Sequence, residues 1–281
     1  MLHEPYDRLH GILAEQGLDA SVFEDTFFRK AAEARRVAAG SGSLEDYCGI
    51  LSDDPEELTR LTSSLHVGYS EFFRSPLTFA CLETLLLPAM IKRKSRSLDG
   101  GLRIWSAACA GGQEAYSVAM LCDELLQQDG TAPSYQVFGT DIDQAALQSA
   151  RTGTYDVHAL GRLTLKRTQA CFSRQGESYT VVQRIRDAVD FSIFDLIADK
   201  GLCPPISIYG NFDLVFCCNV LFYYKPQVQH RIIEKITSCL APGSCLVTGE
   251  AERELFARHH FREIFPGSAI FRPEHEGGLS S

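Results

Sequence analysis

Leu102-Arg103-Ile104-Trp105-Ser106-Ala107-Ala108-Cys109-Ala110-Gly111-Gly112-Gln113-Glu114 is the stretch that decides the fold. A short apolar run leads into a turn of small residues and then a helix whose buried stripe is Ala115, Val118, Ala119, Cys122, Leu125 and Leu126. Short apolar runs alternating with amphipathic helices are the sequence form of a parallel sheet covered on both faces. Small residues let a ligand approach the backbone beyond the strand ends, where open α/β sheets bind their ligands. A plain tight turn uses the same residues, so this stretch alone leaves a nucleotide-like ligand undecided.

Outward toward the C-terminus the alternation continues. Tyr135–Thr140 reads as a second strand and Phe212–Cys218 as another, followed by a helix with Pro226 in its first turn and Val228, Ile232, Ile233 and Ile236 on one face. Ser244–Gly249 closes the parallel set, and Phe261–Phe265 with Ala269–Phe271 form a terminal antiparallel hairpin around Pro266-Gly267. Residues 154–190, with Tyr179-Thr180-Val181-Val182, interrupt the pattern as a small β insertion. Toward the N-terminus, residues 1–70 read as short helices with no strand pattern. Asp53-Asp54-Pro55 marks one helix start, and Glu56 and Glu57 suit its positive end. A helix over about Pro76–Met90 follows, and Lys92 to Gly101 reads as an exposed basic loop.

Composition narrows the function classes. At 281 residues the chain is long enough for one large α/β domain plus a smaller partner, since single cores stop growing near ~250–300 residues. The net charge is −9, and residues 1–75 carry seven Lys/Arg against fourteen Asp/Glu, which argues against binding a phosphate backbone. No apolar stretch has membrane-spanning length and the first residues do not resemble a secretory signal, so a cytoplasmic location is expected. Ten cysteines include no C-x-x-C pair and fall mostly in apolar runs, which reads as reduced, buried thiols. Eight histidines show no ligand spacing, and no metal is expected.

The second strand ends in Thr140-Asp141-Ile142-Asp143, where a carboxylate can accept both hydroxyls of a ribose. A helix cap is the plainer use, and it suits Asp143 better than Asp141. A nicotinamide dinucleotide site would place its acid about 20 residues after a full glycine triplet, and here the triplet is incomplete and Asp141 lies further on.

Taken together, these blocks resemble the CheR-type chemotaxis receptor glutamate methyltransferases. That family's Asn-x-Thr-x-Phe-Phe-Arg is similar to Gly68–Arg74, its Trp-Ser-Ala-Gly-Cys-Ser-x-Gly-Glu-Glu-Pro-Tyr-Ser to Trp105–Ser117, its Thr-Asp-Ile-Asp to Thr140–Asp143, and its Asn-Val-Leu-Ile-Tyr-Phe to Asn219–Tyr224. The resemblance implies a Rossmann-like class I methyltransferase sheet, mostly parallel with an antiparallel terminal hairpin. It places a small all-helical domain at 1–75 and the S-adenosylmethionine-binding domain at 76–281, with a β subdomain inserted at about 154–190.

The cofactor implied is S-adenosyl-L-methionine, leaving as S-adenosyl-L-homocysteine, and the implied partner is the cytoplasmic helical region of a chemoreceptor, met by a monomer. By resemblance, Asp141 holds the adenosine ribose, Glu114 the amino group of the methionine part, Asp195 and Leu196 flank the adenine, and Asn219 and Val220 line the methionyl end. Ser70, Arg74 and Ala107 belong to the same site, and Arg74 and Tyr223 stand near the transferred methyl. Arg74 has a direct physical case. A glutamate carboxylate is ionised near pH 7 and needs no general base, only alignment, which a guanidinium fork supplies. Basic Arg29, Lys30, Arg35 and Arg36 match the family's receptor-docking helix, with an ordinary solvated helix as the alternative.

Gly68, Ala108, Gln113, Ala115 and Cys218 depart from the family pattern, as does Gly249-Glu250-Ala251-Glu252 in place of Gly-His-Ser-Glu. Two other functions therefore stay open at this stage: a cofactor-binding sensor with little turnover, and a methyltransferase acting on another carboxylate.

Overall fold

The structure is a computed structural model that describes residues 4–96, 101–129, 134–198, 201–207 and 210–274. The chain divides into two compact units, one of residues 1–67 with 222–230 and one of residues 68–221 with 231–281. This differs from a division at residue 75: the Gly68–Ser75 segment packs with the second unit, and a nine-residue stretch far along the chain packs with the first.

The first unit holds α1 (Glu4–Glu15), α2 (Asp25–Ala38), α3 (Leu44–Asp53) and α4 (Pro55–Ser64). Each start after α1 is set by a capping side chain. Glu24 accepts from the Phe27 N–H, Ser43 from Asp46 and Asp54 from Glu56 and Glu57, with Pro55 in the first turn of α4. Leu9, Leu13, Phe28, Ala32, Tyr47, Leu51 and Leu61 form its core. Glu57 is buried in that core, where its carboxylate accepts the Tyr47 hydroxyl at 2.9 Å and pairs with Arg35. Arg36 is paired with Glu33, and Arg29 lies over the Tyr6 ring. Of the four cations expected to form a docking face, three are therefore engaged within the helical unit. Tyr224 bridges to Phe23 and stacks on its ring, while Lys225 pairs with Asp25 at 2.9 Å, which explains why 222–230 belongs here.

The second unit opens with α5 (Pro76–Cys81), a π-helical turn (Leu82–Leu86) and α6 (Leu87–Lys94). The remaining elements are β1 (Leu102–Ala107), α7 (Gln113–Asp129), β2 (Tyr135–Asp141), α8 (Gln144–Thr152), β3 (Thr154–Asp156), α9 (Leu165–Cys171), β4 (Phe172–Gln175), β5 (Ser178–Val181), α10 (Gln183–Arg186), β6 (Val189–Ile193), β7 (Phe212–Cys217), α11 (Pro226–Ser238), β8 (Leu240–Thr248), α12 (Arg253–Arg258), β9 (Phe261–Glu263) and β10 (Ile270–Pro273). The helix α11 contributes its first residues to the helical unit.

Seven strands form one sheet in the order β6-β2-β1-β7-β8-β10-β9. The first five run parallel, and β10 is antiparallel to both its neighbours. This is the mostly parallel α/β sheet with an antiparallel terminal hairpin that the sequence pattern calls for. Strand order reverses between β1 and β7, so the crevice for a ligand lies beyond their C-terminal ends. Those ends are level, with Ala107 opposite Thr140 of β2 and Cys217 of β7. The insertion is a separate antiparallel sheet in the order β3-β5-β4, and it is over by Val189, where β6 rejoins the main sheet. Arg167 on α9 anchors it by pairing with Glu83 and Glu124.

The basic stretch expected as a loop is a correction. Lys92–Lys94 complete α6, because Asp213 on β7 is a buried carboxylate that needs partners: Lys94 lies 2.9 Å away, Arg93 reaches it at 3.4 Å, and the Arg103 N–H donates at 3.1 Å. Ser95 and Arg96 form the expected turn after α6, and residues 97–100 lie outside the described residues. All ten cysteines are free thiols.

Candidate active site

The turn after β1 is held in a conformation that few side chains adopt. Ala108, Ala110 and Gly112 have φ of 59°, 47° and 86°. Two left-handed alanines cost roughly 1–2 kcal/mol each, which the surroundings must offset. They do so with hydrogen bonds: the Cys109 N–H donates to the Thr140 carbonyl at 2.8 Å, the Ala110 N–H to Asp141 Oδ2 at 2.8 Å and the Gly112 N–H to the Cys109 carbonyl at 2.9 Å. Glycine is required at 112, since a Cβ there would stand 2.9 Å from that of Ala150.

A pocket lies against this turn. Ser70, Arg74, Glu114 and Asn219 line it, together with Tyr69, Glu71, Phe79, Ala108, Phe216 and Cys218 among others. The segment that brings Ser70 and Arg74 here is tied down through Phe73, whose N–H donates to Ser117 Oγ on α7 at 3.0 Å. The Arg74 guanidinium lies 5.6 Å from the centre of the Tyr69 ring, and among the described residues no carboxylate is within ion-pair distance of it. A structural ion pair is therefore not what holds Arg74 in place.

Glu114 has the complementary problem. Its carboxylate accepts from Ser106 Oγ at 2.6 Å, the Cys218 thiol lies beside it, and among the described residues it has no cation within pairing distance. Enclosure by protein pushes this carboxyl up to about 7, with Ser106 and Cys218 pulling back, Glu252 adding to the rise and Arg74 opposing it. Burial also drives the Cys218 thiol well above its ordinary value, so it stays protonated, and it donates to the Val247 carbonyl at 3.6 Å.

Asp141 and the pair Asp195-Leu196 occupy the neighbouring strand ends. Asp141 faces Ile193 in register, and the Phe194 N–H donates to the Asp141 carbonyl at 3.0 Å. Each Asp141 oxygen already accepts one backbone N–H, from Ala110 and Asp143, and a carboxylate oxygen has a second lone pair for a ligand hydroxyl. Burial raises the Asp141 carboxyl and those two N–H groups oppose the rise. Asp143 caps α8, as its position suggests. Asp195 accepts from the Ile197 N–H at 2.7 Å, and Leu196 is buried. Ala107 is buried as the last residue of β1, and it is Ala108 that reaches the pocket. Tyr223 belongs to the helical unit, where its ring packs 4.7 Å from Phe27.

Sequence reasoning missed Glu252. It is buried, and its carboxylate accepts from the backbone N–H groups of Asn219, Val220, Leu221 and Gly249 and from the Thr248 hydroxyl. Its one local signal was the glycine-to-glutamate spacing kept in Gly249-Glu250-Ala251-Glu252.

The donor set fits a zwitterionic nucleoside. A carboxylate without a cation suits an ammonium group, a second acid at a neighbouring strand end suits a ribose, and apolar Phe79, Phe216 and Val247 line the pocket beside them. Together with the strand order, this defines a methyltransferase that uses S-adenosylmethionine. Residues 69–268 match the family model described as CheR methyltransferase, SAM binding domain, and the chain belongs to that family. It is 36% identical over 187 residues to chemotaxis protein methyltransferase 1 of Pseudomonas aeruginosa, covering 64% of each chain. It is 29% identical over 242 residues to the chemotaxis protein methyltransferase of Listeria monocytogenes, covering 85% of this chain and 86% of that one. A 104.1 kDa protein of Rhodobacter capsulatus matches 95% of this chain at 28% identity, and there the chain spans only 28% of the longer protein. Among the described residues no helix is long and apolar enough to cross a membrane, and no group of three or more metal-ligating side chains occurs.

Proposed function

We propose that the chain esterifies glutamate side chains in the cytoplasmic helical region of a chemotaxis receptor. The observation that carries this reading is Arg74: a guanidinium with no carboxylate partner lines the same pocket as an acid with no cation. When bound, S-adenosylmethionine supplies an electrophilic methyl group on a positively charged sulfur. Glu114 holds the ammonium group of its methionine part, Asn219 and Val220 line that part, and Asp141 accepts the ribose hydroxyls. Asp195 and Leu196 flank the base, and Ser70 closes the pocket beside Arg74. Arg74 grips the incoming carboxylate through two N–H groups and fixes one oxygen in line with the methyl carbon. An oxygen–carbon bond forms as the carbon–sulfur bond breaks, giving a methyl ester and S-adenosylhomocysteine. The acceptor is already ionised, so no proton has to move, and most of the acceleration comes from orientation and the exclusion of water.

Incubation with methyl-labelled S-adenosylmethionine and receptor cytoplasmic fragments tests the proposal. The expected result is protein-bound label released as methanol by mild base. Label confined to small acids, or absent despite tight S-adenosylhomocysteine binding, would overturn it.

A further inference from the structure

Five hydrogen-bond donors converge on the one buried carboxylate of Glu252. Oε1 accepts from the N–H groups of Val220 at 2.8 Å and Leu221 at 2.7 Å, and Oε2 from Asn219 at 2.8 Å, Gly249 at 3.1 Å and Thr248 Oγ1 at 3.1 Å. Among the described residues it has no cation partner, so the anion is balanced by four main-chain N–H dipoles and one hydroxyl. Asn219, at the edge of this arrangement, has a φ of 59° and lines the pocket. Its side chain is also confined from the other side, since a methyl group at Gly249 would stand 2.5 Å from Asn219 Nδ2 and 2.9 Å from its Cγ.

We infer that Glu252 and Gly249 together form a clasp that fixes Asn219 for the methyl donor, with Glu252 as a positioning residue of the transfer reaction. The inference rests on the methyl-transfer reading above. Burial without a counter-cation serves this end well. A carboxylate can face several N–H groups at once, whereas an amide in its place would turn an NH₂ group toward two or three of those donors. Asparagine enters the left-handed region more readily than most residues, so what the clasp fixes is the place and facing of Asn219 rather than a strained backbone. Glu252 touches neither donor nor acceptor and acts only through the loop it holds.

The test measures S-adenosylhomocysteine affinity by calorimetry for the full chain, Glu252→Gln, Asn219→Gly and the double variant, alongside hydrogen exchange of the Asn219, Val220 and Leu221 amides without ligand. Glu252→Gln is expected to weaken binding about tenfold or more in the native background and less than about twofold beside Asn219→Gly, because contacts that act through one residue do not add. The three amides should exchange slowly in the native chain and faster in Glu252→Gln. Unchanged affinity, or an equal loss in both backgrounds, would overturn the clasp. Should Glu252→Gln not fold, Gly249→Ala keeps the carboxylate while crowding Asn219; it must weaken binding as well, and native affinity in that variant overturns the inference. A native chain that binds no S-adenosylhomocysteine would sink the methyl-transfer reading instead, and fast native exchange of the three amides would sink the clasp regardless of ligand.

Discussion

Lowering the pH from 8 to 6 should weaken S-adenosylhomocysteine binding through Glu114. Enclosure pushes this carboxyl up to about 7, and only its ionised form attracts an ammonium group. With that value, the ionised fraction falls from about nine tenths at pH 8 to about one tenth at pH 6, so the dissociation constant should rise roughly tenfold across the window. Calorimetry at pH 6, 7 and 8 in two buffers of different ionisation enthalpy reads both the affinity and the proton expelled on binding. Ser106, Cys218, Glu252 and Arg74 are the groups that act on Glu114, and the Cys218 thiol is pushed well above this window. Burial also raises the Glu252 carboxyl, against the pull of its N–H donors, so Glu114→Gln is the control that separates the two acids. That variant should bind more weakly at pH 8 and show little slope. A native affinity that is flat from pH 6 to 8, or a Glu114→Gln slope equal to the native one, would refute the reasoning. The ligand-free protein should show the converse in its stability. Folded Glu114 holds its proton more tightly than unfolded Glu114, so unfolding releases a proton between the ordinary value of 4.5 and about 7. Stability contributed by this group is present below 4.5 and lost as pH rises through about 7, and Glu114→Gln should abolish that loss.

Arg74→Ala is expected to lower transfer to a receptor fragment by about a hundredfold while donor affinity changes only a few-fold, since its task is to align the acceptor; an unchanged transfer rate removes it from the mechanism. Asp141→Ala should weaken S-adenosylhomocysteine binding by about tenfold or more, because it removes a ribose acceptor and also leaves the Ala110 N–H without its partner in the strained turn. Native affinity in that variant would show that Asp141 serves only the turn. Glu57→Ala should destabilise the helical unit by roughly 3 kcal/mol, as it strands the Tyr47 hydroxyl and unpairs Arg35. Thermal unfolding reads this, and a native melting temperature would mean that water replaces the carboxylate at no cost.

The parts of this molecule that were legible in its sequence are those set by local periodicity. The strand-turn-helix around Ala107 and the alternation through Phe212–Cys217 announce a parallel sheet because buried strands are apolar throughout, and the Asp54-Pro55 start is fixed by groups within one helical turn. What escaped depends on partners distant in the chain. Lys92–Lys94 look like a solvated run until Asp213 is placed beside them. Arg35 looks like a free surface cation, yet it answers Glu57, 22 residues away. Glu252 meets Asn219 across 33 residues, with no periodic pattern to point at either. The pocket lay between these extremes. Ser70, Arg74, Glu114 and Asn219 come together there from three separate blocks, and family resemblance supplied what the local pattern alone could not.

Because β1, β2 and β7 stop at one level, each offers its next residues to the same crevice like teeth of a comb. Natural variants can therefore exchange Ala108, Cys218 or Asn219 and alter the ligand's surroundings without disturbing a single rung of the ladder below. Deleting one residue inside a strand has the opposite effect. It would turn every following side chain through half a revolution and aim Asp141 at the helices that pack on the sheet.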